Sequence, residues 1–468
     1  MSKVISSIEE ALKNAGLKDG MTISFHHHMR NGDYVLNKTL EVIEKMGVKN
    51  LTLNASSIFD SQADTIGRCI KEGVITNIKC SYMASGMGRK IVDGIMENPV
   101  EFRTHGGRAS DMESGKIHTD IAIIAAPTCD EEGNATGKMG KASCGSLGYA
   151  FSDSEYSDKV IMVTDNLVKS LDKKYISLDG KNTDFVVAID CIGDPNGIVS
   201  GTTKITRDPI GLLMAQDAAN VIRYSGLLKD GFNFQTGAGG ASLAAAKYLK
   251  DIMLENNIKG GFGLGGITSY MVDMLKAGCF QKLYDVQCFD LGAVESITNN
   301  PEHIEISAKQ YAGPNNKDAC VNNLDVVILG ATEIDTDFNV NVHTDSNGII
   351  IGGSGGHSDT AAGAKLAMII APLVRARLPI VTDRVSTIST KGDTIDVFVT
   401  QYGVAVNPKN KELIKNLKDN KVNVVDINEL KKIAETISGV PQKFKASGRV
   451  VAKVISRDGE VIDEIHAL

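Results

Sequence analysis

The string His26-His27-His28 runs directly into Met29 and Arg30 behind a short apolar run at 21–25. On an extended strand His26 and His28 share a face, which suits a metal ion or a carboxylate. A triple histidine can be a tag remnant, but this one is short and embedded between an apolar strand and a charged segment. No cysteine or glutamate stands nearby at metal-ligand spacing, so an anionic substrate, with Arg30 beside it, is favoured over zinc. A second cationic corner, His105-Gly106-Gly107-Arg108, follows Phe102-Arg103. Arg108 there can grip a carboxylate through two parallel hydrogen bonds, or it can belong to an exposed basic loop.

Glycine contributes 47 of the 468 residues, and it is clustered. The loop 236–242 reads TGAGGAS and leads into the helix-like LAAAKYLKDIML. Gly237, Gly239, Gly240 and Ser242 place N–H groups at a helix start, where they can receive an anion or a developing oxyanion. A tight strand-to-helix turn is the plainer alternative, and the pattern is neither a Walker loop nor GxGxxG. Gly352-Gly353-Ser354-Gly355-Gly356-His357 follows the apolar run 348–351 and precedes a helix expected over 360–370. Gly352-x-Ser354-x-Gly356 matches the nucleophile elbow of a serine hydrolase. Such a hydrolase needs an aspartate and then a histidine downstream, and besides the adjacent His357 only His466 follows. Cys144, in the glycine loop 140–146, has no base at fixed spacing and reads as a packing thiol.

The elements that must position these residues repeat. DIAIIAAPTCDEEGNAT (120–136) aligns with DVVILGATEIDTDFNVN (325–341) through Asp120/Asp325, Ile123/Ile328, Ala126/Ala331, Asp130/Asp335 and Asn134/Asn339, at a constant shift. Lys71-Glu72-Gly73 pairs with Lys276-Ala277-Gly278, and Asp19-Gly20 with Asp230-Gly231. Short continuous apolar runs at 121–126 and 326–329 are those of strands covered on both faces. Two similar α/β domains with open, mostly parallel sheets follow, 1–225 and 226–468. The second is expected to end in a β-hairpin around Asp458-Gly459.

Fifty Lys+Arg against fifty-seven Asp+Glu give a net charge of −7, which argues against nucleic acid as a partner. The best apolar stretch, 361–381, is interrupted by Lys365, Arg375 and Arg377, so no membrane span is expected. The first residues lack a secretory signal, and eight scattered cysteines without a Cys-x-x-Cys pair read as reduced thiols, so a cytoplasmic protein is expected.

Several strings together carry a resemblance: DGMTISFHHHMRNGD (19–33), EFRTHGGR (101–108), GKASCGSLGYA (140–150), QTGAGGASLA (235–244), GLGGITSYMVD (263–273), LDVVILGATEIDTDFNVNV (324–342), GGSGGHSDTA (352–361) and APLVRARLP (371–379). They resemble the citrate lyase alpha-chain family, the citrate:acetyl-carrier transferases of the CoA-transferase fold. The resemblance implies a site between two similar domains and exchange of acetate for citrate on a thioester. The thiol would belong to a CoA-like arm of the phosphoribosyl-dephospho-CoA type on an acyl-carrier (gamma) subunit, with acetyl-CoA as a surrogate. A beta subunit would then cleave the citryl thioester, within a complex holding more than one copy of this chain. No metal or redox cofactor is called for. Citrate would be gripped by His26, His28, Arg30, His105 and Arg108. The arm would lie along Gly237, Gly239, Ser242, Gly353, Ser354 and His357, with oxyanion donors at Gly239, Gly240, Gly355 and Gly356. Many CoA-transferases carry a nucleophilic glutamate where this chain reads Gln287-Cys288-Phe289-Asp290, so direct attack by citrate through a mixed anhydride is expected, with Asp290 in a positioning or capping role. The alternatives are a citramalate transferase, a serine hydrolase using Ser354, and a scaffold without activity.

Overall fold

The computed structural model describes residues 3–199, 204–441, 446 and 448–468. Two large sheets organise the chain. The first is ordered Val4–Ile5, Phe185–Ala188, Ser157–Thr164, Thr119–Ala126, Thr22–Phe25, Leu51–Ala55, Ile75–Cys80, Val100–Phe102, Val450–Ile455, Val461–His466. The second is ordered His303–Glu305, Phe280–Cys288, Gly260–Ile267, Phe234–Thr236, Val326–Leu329, Leu366–Ile370, Val397–Thr400, Gly403–Val406. Every pairing is parallel except the hairpin at one edge of each sheet. The central strands are buried on both faces because helices cover both sides, which explains their unbroken apolar runs.

The repeat is visible atom by atom. Asp120 Oδ2 accepts the N–H of Thr22 at 2.7 Å, and Asp325 Oδ2 accepts that of Asn233 at 2.8 Å. Asp19 holds the N–H of Lys49, and Asp230 that of Lys259. Asp130 closes a turn on the N–H of Asn134 at 2.9 Å, matched by Asp335 on Asn339 at 2.9 Å. Gly20 and Gly231 share left-handed φ values of 84° and 83°, so the same tight turn opens both halves.

Three sequence expectations are corrected. The terminal hairpin leaves the second half and joins the first sheet, with Ala452 opposite Val100 and Val454 opposite Phe102. Helix Pro209–Tyr224 lies before the expected boundary at 225 yet packs on helix Gly240–Glu255 and on strands of the second sheet. The helix expected over 360–370 is a short one, His357–Gly363, followed by strand Leu366–Ile370. An apolar run buried on both faces has no periodicity to separate helix from strand, and its parallel neighbours Val326–Leu329 and Val397–Thr400 decide it.

The halves are joined reciprocally. The first half's glycine loop reaches the second sheet, where Ser146 Oγ donates to the Asp285 carbonyl and Gly148 accepts the Ala308 N–H. The second half's loop reaches the first, where Gly355 donates to the Ser81 carbonyl at 3.0 Å and accepts the His105 N–H at 2.8 Å. Glu305 adds a clamp, accepting from Leu147 N–H and Ser177 Oγ and pairing with Lys138 at 2.8 Å.

Candidate active site

In an open α/β sheet the carboxyl ends of the strands gather the loops that bind ligands. Here such ends from both sheets meet: 26–30, 56–59, 81–82 and 104–105 from the first, and 235–239 and 287–289 from the second, with the loop 353–356 that precedes helix His357–Gly363 joined to 81 and 105. Gln287 Nε2 donates to the His27 carbonyl at 2.9 Å across this junction.

Arg30 stands at its centre. Its backbone is left-handed (φ 51°), a conformation that costs a non-glycine residue energy and so fixes where its side chain leaves the chain. The guanidinium lies 5.5 Å from the Phe59 ring centre and 5.0 Å from that of Phe289, which comes from the other half. Among the described residues no carboxylate pairs with it. Burial lowers its pKa, opposed by Tyr82 and Tyr149, but an arginine remains a cation at any physiological pH.

Beside it three rings pack together. Tyr149 lies 4.5 Å from His27 and 4.4 Å from His105, centre to centre. The Tyr149 side chain is buried, and its hydroxyl makes no hydrogen bond among the described residues. His105 Nδ1 is likewise buried without a partner. Burial first, and then the Arg108 charge, push His105 down to about 3. It is a neutral imidazole with hydrogen-bonding capacity unused by the fold. His27 Nδ1 meets Ser56 Oγ at 2.6 Å.

His26 and His28 have another task. His26 Nε2 accepts the Ala125 N–H at 2.9 Å, His28 Nε2 accepts the Tyr149 N–H at 3.1 Å, and the two Nδ1 atoms face each other. Burial pushes His26 down to about 4 and His28 well below its ordinary value. With their ring nitrogens engaged and no charge, they pin the loop that carries Arg30 rather than meet an anion. Arg108 is also spent within the fold. Its Nη2 lies 2.7 Å and its Nη1 3.2 Å from the two oxygens of buried Asp153, and Nε donates to Asn54 Oδ1 at 3.0 Å.

Asp290 is a helix cap. Its Oδ1 accepts the Ala293 N–H at 2.9 Å and Ser269 Oγ at 2.7 Å, while Oδ2 accepts the Ser269 N–H at 2.8 Å, so it ties together the starts of helices Leu291–Asn299 and Ser269–Lys276. Gln287 is placed by a β-bulge: the register passes from Gly265 opposite Asp285 to Gly266 opposite Gln287, and Asp285 Oδ1 holds the Gln287 N–H at 2.7 Å.

The two glycine loops differ. A Cβ at Gly353 would lie 2.4 Å from the Ser81 carbonyl oxygen, so glycine there lets the halves touch, and one at Gly356 would lie 2.4 Å from Tyr311 Oη within the second half. With the Gly355 N–H taken by Ser81, this loop is a joint rather than an oxyanion donor set. Ser354 Oγ meets Ser358 Oγ, and His343 Nε2 accepts the Ser354 backbone N–H, so no histidine serves the serine as a base. His357 is fixed to Thr390 Oγ1 at 2.8 Å and the Gly330 carbonyl at 2.9 Å. At Gly237 and Gly239 a Cβ would meet nothing nearer than 3.5 and 3.9 Å, with Ser242 Oγ between them. This gap lies before the start of helix Gly240–Glu255. Gln235, at the start of this loop, packs on Gly265, and Phe289, beside Arg30, packs on the next residue, Gly266. Gly240 itself is packed, a Cβ there meeting the Lys204 carbonyl at 2.9 Å.

The fold therefore brings together Arg30, His105 and the loop 237–242, and withdraws His26, His28, Arg108, Asp290 and His357 into structural roles. Tyr149, Phe59 and Phe289 join the site without having been singled out in the sequence, since an aromatic at a loop end carries no sign of its function. The cysteines are free thiols, and burial raises that of Cys144, which faces no base. Among the described residues no helix is long and apolar enough to cross a membrane.

The family model described as citrate lyase, alpha subunit (CitF), matches residues 1–468. The citrate lyase alpha chain of Haemophilus influenzae is 47% identical over 464 residues, 99% of this chain and 92% of that one. The Escherichia coli citrate lyase alpha chain is 46% identical, over 99% and 91%. A solved structure described as the putative alpha subunit of citrate lyase in complex with citrate, from Streptococcus mutans, superposes with a TM-score of 0.98 at 47% identity, covering 100% of this chain and 92% of that one. A Pseudomonas malonate decarboxylase hetero-tetramer contributes a chain with TM-score 0.70 at 14% identity, covering 96% of each, a likeness of fold alone.

Proposed function

Because the chain belongs to the citrate lyase alpha-subunit family, we propose that its citrate acyl-transfer chemistry takes place in the cleft between the two sheets, with Arg30 as the anchor of a citrate carboxylate. The carrying observation is a guanidinium held between Phe59 and Phe289 without a carboxylate partner among the described residues. A cation so desolvated gains most from a bidentate anion. The Tyr149 hydroxyl and the free nitrogens of the neutral His27 and His105 give the remaining polar groups of citrate hydrogen-bond partners.

A citrate carboxylate oxygen attacks the carbonyl carbon of the acetyl thioester, and the carbon–sulfur bond breaks to release the thiolate and leave an acetyl–citryl anhydride. The thiolate attacks the citryl carbonyl and acetate departs, so the thioester passes from acetate to citrate. Each attack builds charge on a carbonyl oxygen, which the N–H groups of Gly239 and Gly240 can receive, the Gly237 N–H being held by the Ile328 carbonyl. Gln287 cannot act as a carboxylate nucleophile, which supports direct attack over an enzyme-bound acyl intermediate. The CoA-like arm of an acyl-carrier gamma subunit supplies the thiol, a beta subunit cleaves the citryl thioester, and the complex works in the cytoplasm.

The test is acetate release from acetyl-CoA by the purified chain, with citrate and separately with citramalate. Release dependent on citrate and retained in Ser354→Ala is expected. Acid-independent release that Ser354→Ala abolishes would replace this reading with hydrolysis, and a stable enzyme–CoA thioester detected by mass spectrometry would exclude direct attack.

A further inference from the structure

Strand Leu366–Ile370 runs parallel to Val326–Leu329, and the chain then folds into a two-stranded hairpin, Val374–Arg375 against Leu378–Pro379. The two residues of its turn, Ala376 and Arg377, are both left-handed, with φ of 50° and 66°. Such a turn normally calls for glycine, asparagine or aspartate at both positions. This chain instead keeps an alanine and an arginine in it.

The strained turn presents two guanidiniums in a definite place. Arg375 Nη1 donates to the Ala331 carbonyl at 3.3 Å, which ties the hairpin to the end of strand Val326–Leu329. That strand end also takes the N–H of Gly237 on the Ile328 carbonyl at 2.9 Å, and the Gly330 carbonyl takes His357. Hairpin and glycine loop are thus both mounted between Ile328 and Ala331, at one strand end. Among the described residues neither Arg375 nor Arg377 pairs with a carboxylate, in a chain with seven more acids than bases. Both are exposed.

We propose that Arg375 and Arg377 form a phosphate subsite for the thioester arm, gripping its phosphoryl groups while the acyl end reaches past Gly237 and Gly239 toward Arg30. The proposal rests on the transferase reading above and deepens it. A phosphodiester carries its charge on oxygens that match the guanidinium fork. Citrate's anchor and the arm's anchor are then separate cations on separate halves, so two anionic substrates bind without competing for one charge.

The experiment compares acetyl-CoA with S-acetyl-pantetheine, which has the same thioester but no phosphate, at saturating citrate. Arg375→Gln, Arg377→Gln and the double variant are assayed as full chains. With acetyl-CoA, KM is expected to rise about tenfold for each single variant, a loss of about 1.4 kcal/mol, with KM for citrate and kcat near wild type. With S-acetyl-pantetheine, variant and wild type are expected to have the same kcat/KM. Calorimetric binding of free CoA, weakened in the variants and restored in part by Arg377→Lys, gives a readout independent of turnover. An unchanged KM and Kd for the CoA compounds would overturn the subsite. An equal loss with S-acetyl-pantetheine would also overturn it, because the hairpin would then act on the fold or the acyl end. Absence of citrate-dependent transfer in the wild type, with CoA binding intact and sensitive to the arginines, would instead count against the transferase reading and leave the subsite standing.

Discussion

Two arginines of the first half look alike in the sequence and have opposite fates. Arg30 has aromatic neighbours and no carboxylate, whereas Arg108 is saturated by Asp153 and Asn54. Arg30→Gln is expected to raise KM for citrate about 10- to 100-fold, the value of a charged hydrogen-bonded pair, while urea unfolding stays near wild type. Arg108→Met leaves the Asp153 carboxylate buried without its cation, and unfolding should lose about 3–5 kcal/mol. Adding Asp153→Leu should restore much of that, and a double variant as unstable as the single would refute the pairing. Residue type and loop position in the sequence disclose a cation near a glycine corner. They do not disclose its partner, because Asp153 is 45 residues from Arg108 in sequence and reaches it only through the fold. For the same reason the sequence does not disclose the roles of His26 and His28, whose partners are backbone N–H groups of distant segments.

At the scale of elements, much more was legible. The pairing of Asp120 with Asp325 and of Asp130 with Asp335 appears in the structure as the same hydrogen bond made twice. Capping and turn aspartates act on neighbours close in sequence or on the adjacent strand, so their pattern survives as spacing. What failed was the assignment of 360–370, where burial on both faces erased the period, and the placing of the terminal hairpin, which only long-range pairing decides. The glycines also divide by element. Gly356→Ala must displace Tyr311, and a loss of about 1–3 kcal/mol is expected from this overpacking, measurable as a lower unfolding midpoint. Ala376→Gly should do the reverse, raising stability by up to about 1 kcal/mol by relieving a left-handed residue. A destabilised Ala376→Gly would show that the turn is not under strain.

For the whole molecule, six histidines with lowered pKa set the response to acid. Burial lowers His26 and His357 to about 4, His105 and His343 to about 3, and His27 and His28 well below the ordinary value. Between those values and about 6.5 the unfolded chain binds protons that the folded chain refuses, so stability drains as pH falls through that window. Each histidine contributes about 1.4 kcal/mol per pH unit at most. Asp33, raised to about 7, and Asp359, raised to about 6, act the other way, because the folded form keeps a proton that the unfolded form gives up above about 3.8. Asp217 and Asp335, also raised by burial, add to that opposing side; with six histidines against four carboxylates, the urea midpoint is expected to fall from pH 6.5 to pH 4. A flat profile over that range would mean that the histidines are open to protons in the folded state.

The hairpin that crosses back to the first sheet has a consequence for synthesis on the ribosome. Strands of the second sheet, Phe234–Thr236 through Gly403–Val406, are all available once about 410 residues have emerged. The first sheet began earlier but cannot cover the edge of Val100–Phe102 until Val450–Ile455 arrives. A nascent chain therefore carries an open parallel edge through most of its translation, and any pause before residue 450 prolongs its exposure to pairing with a neighbouring polypeptide.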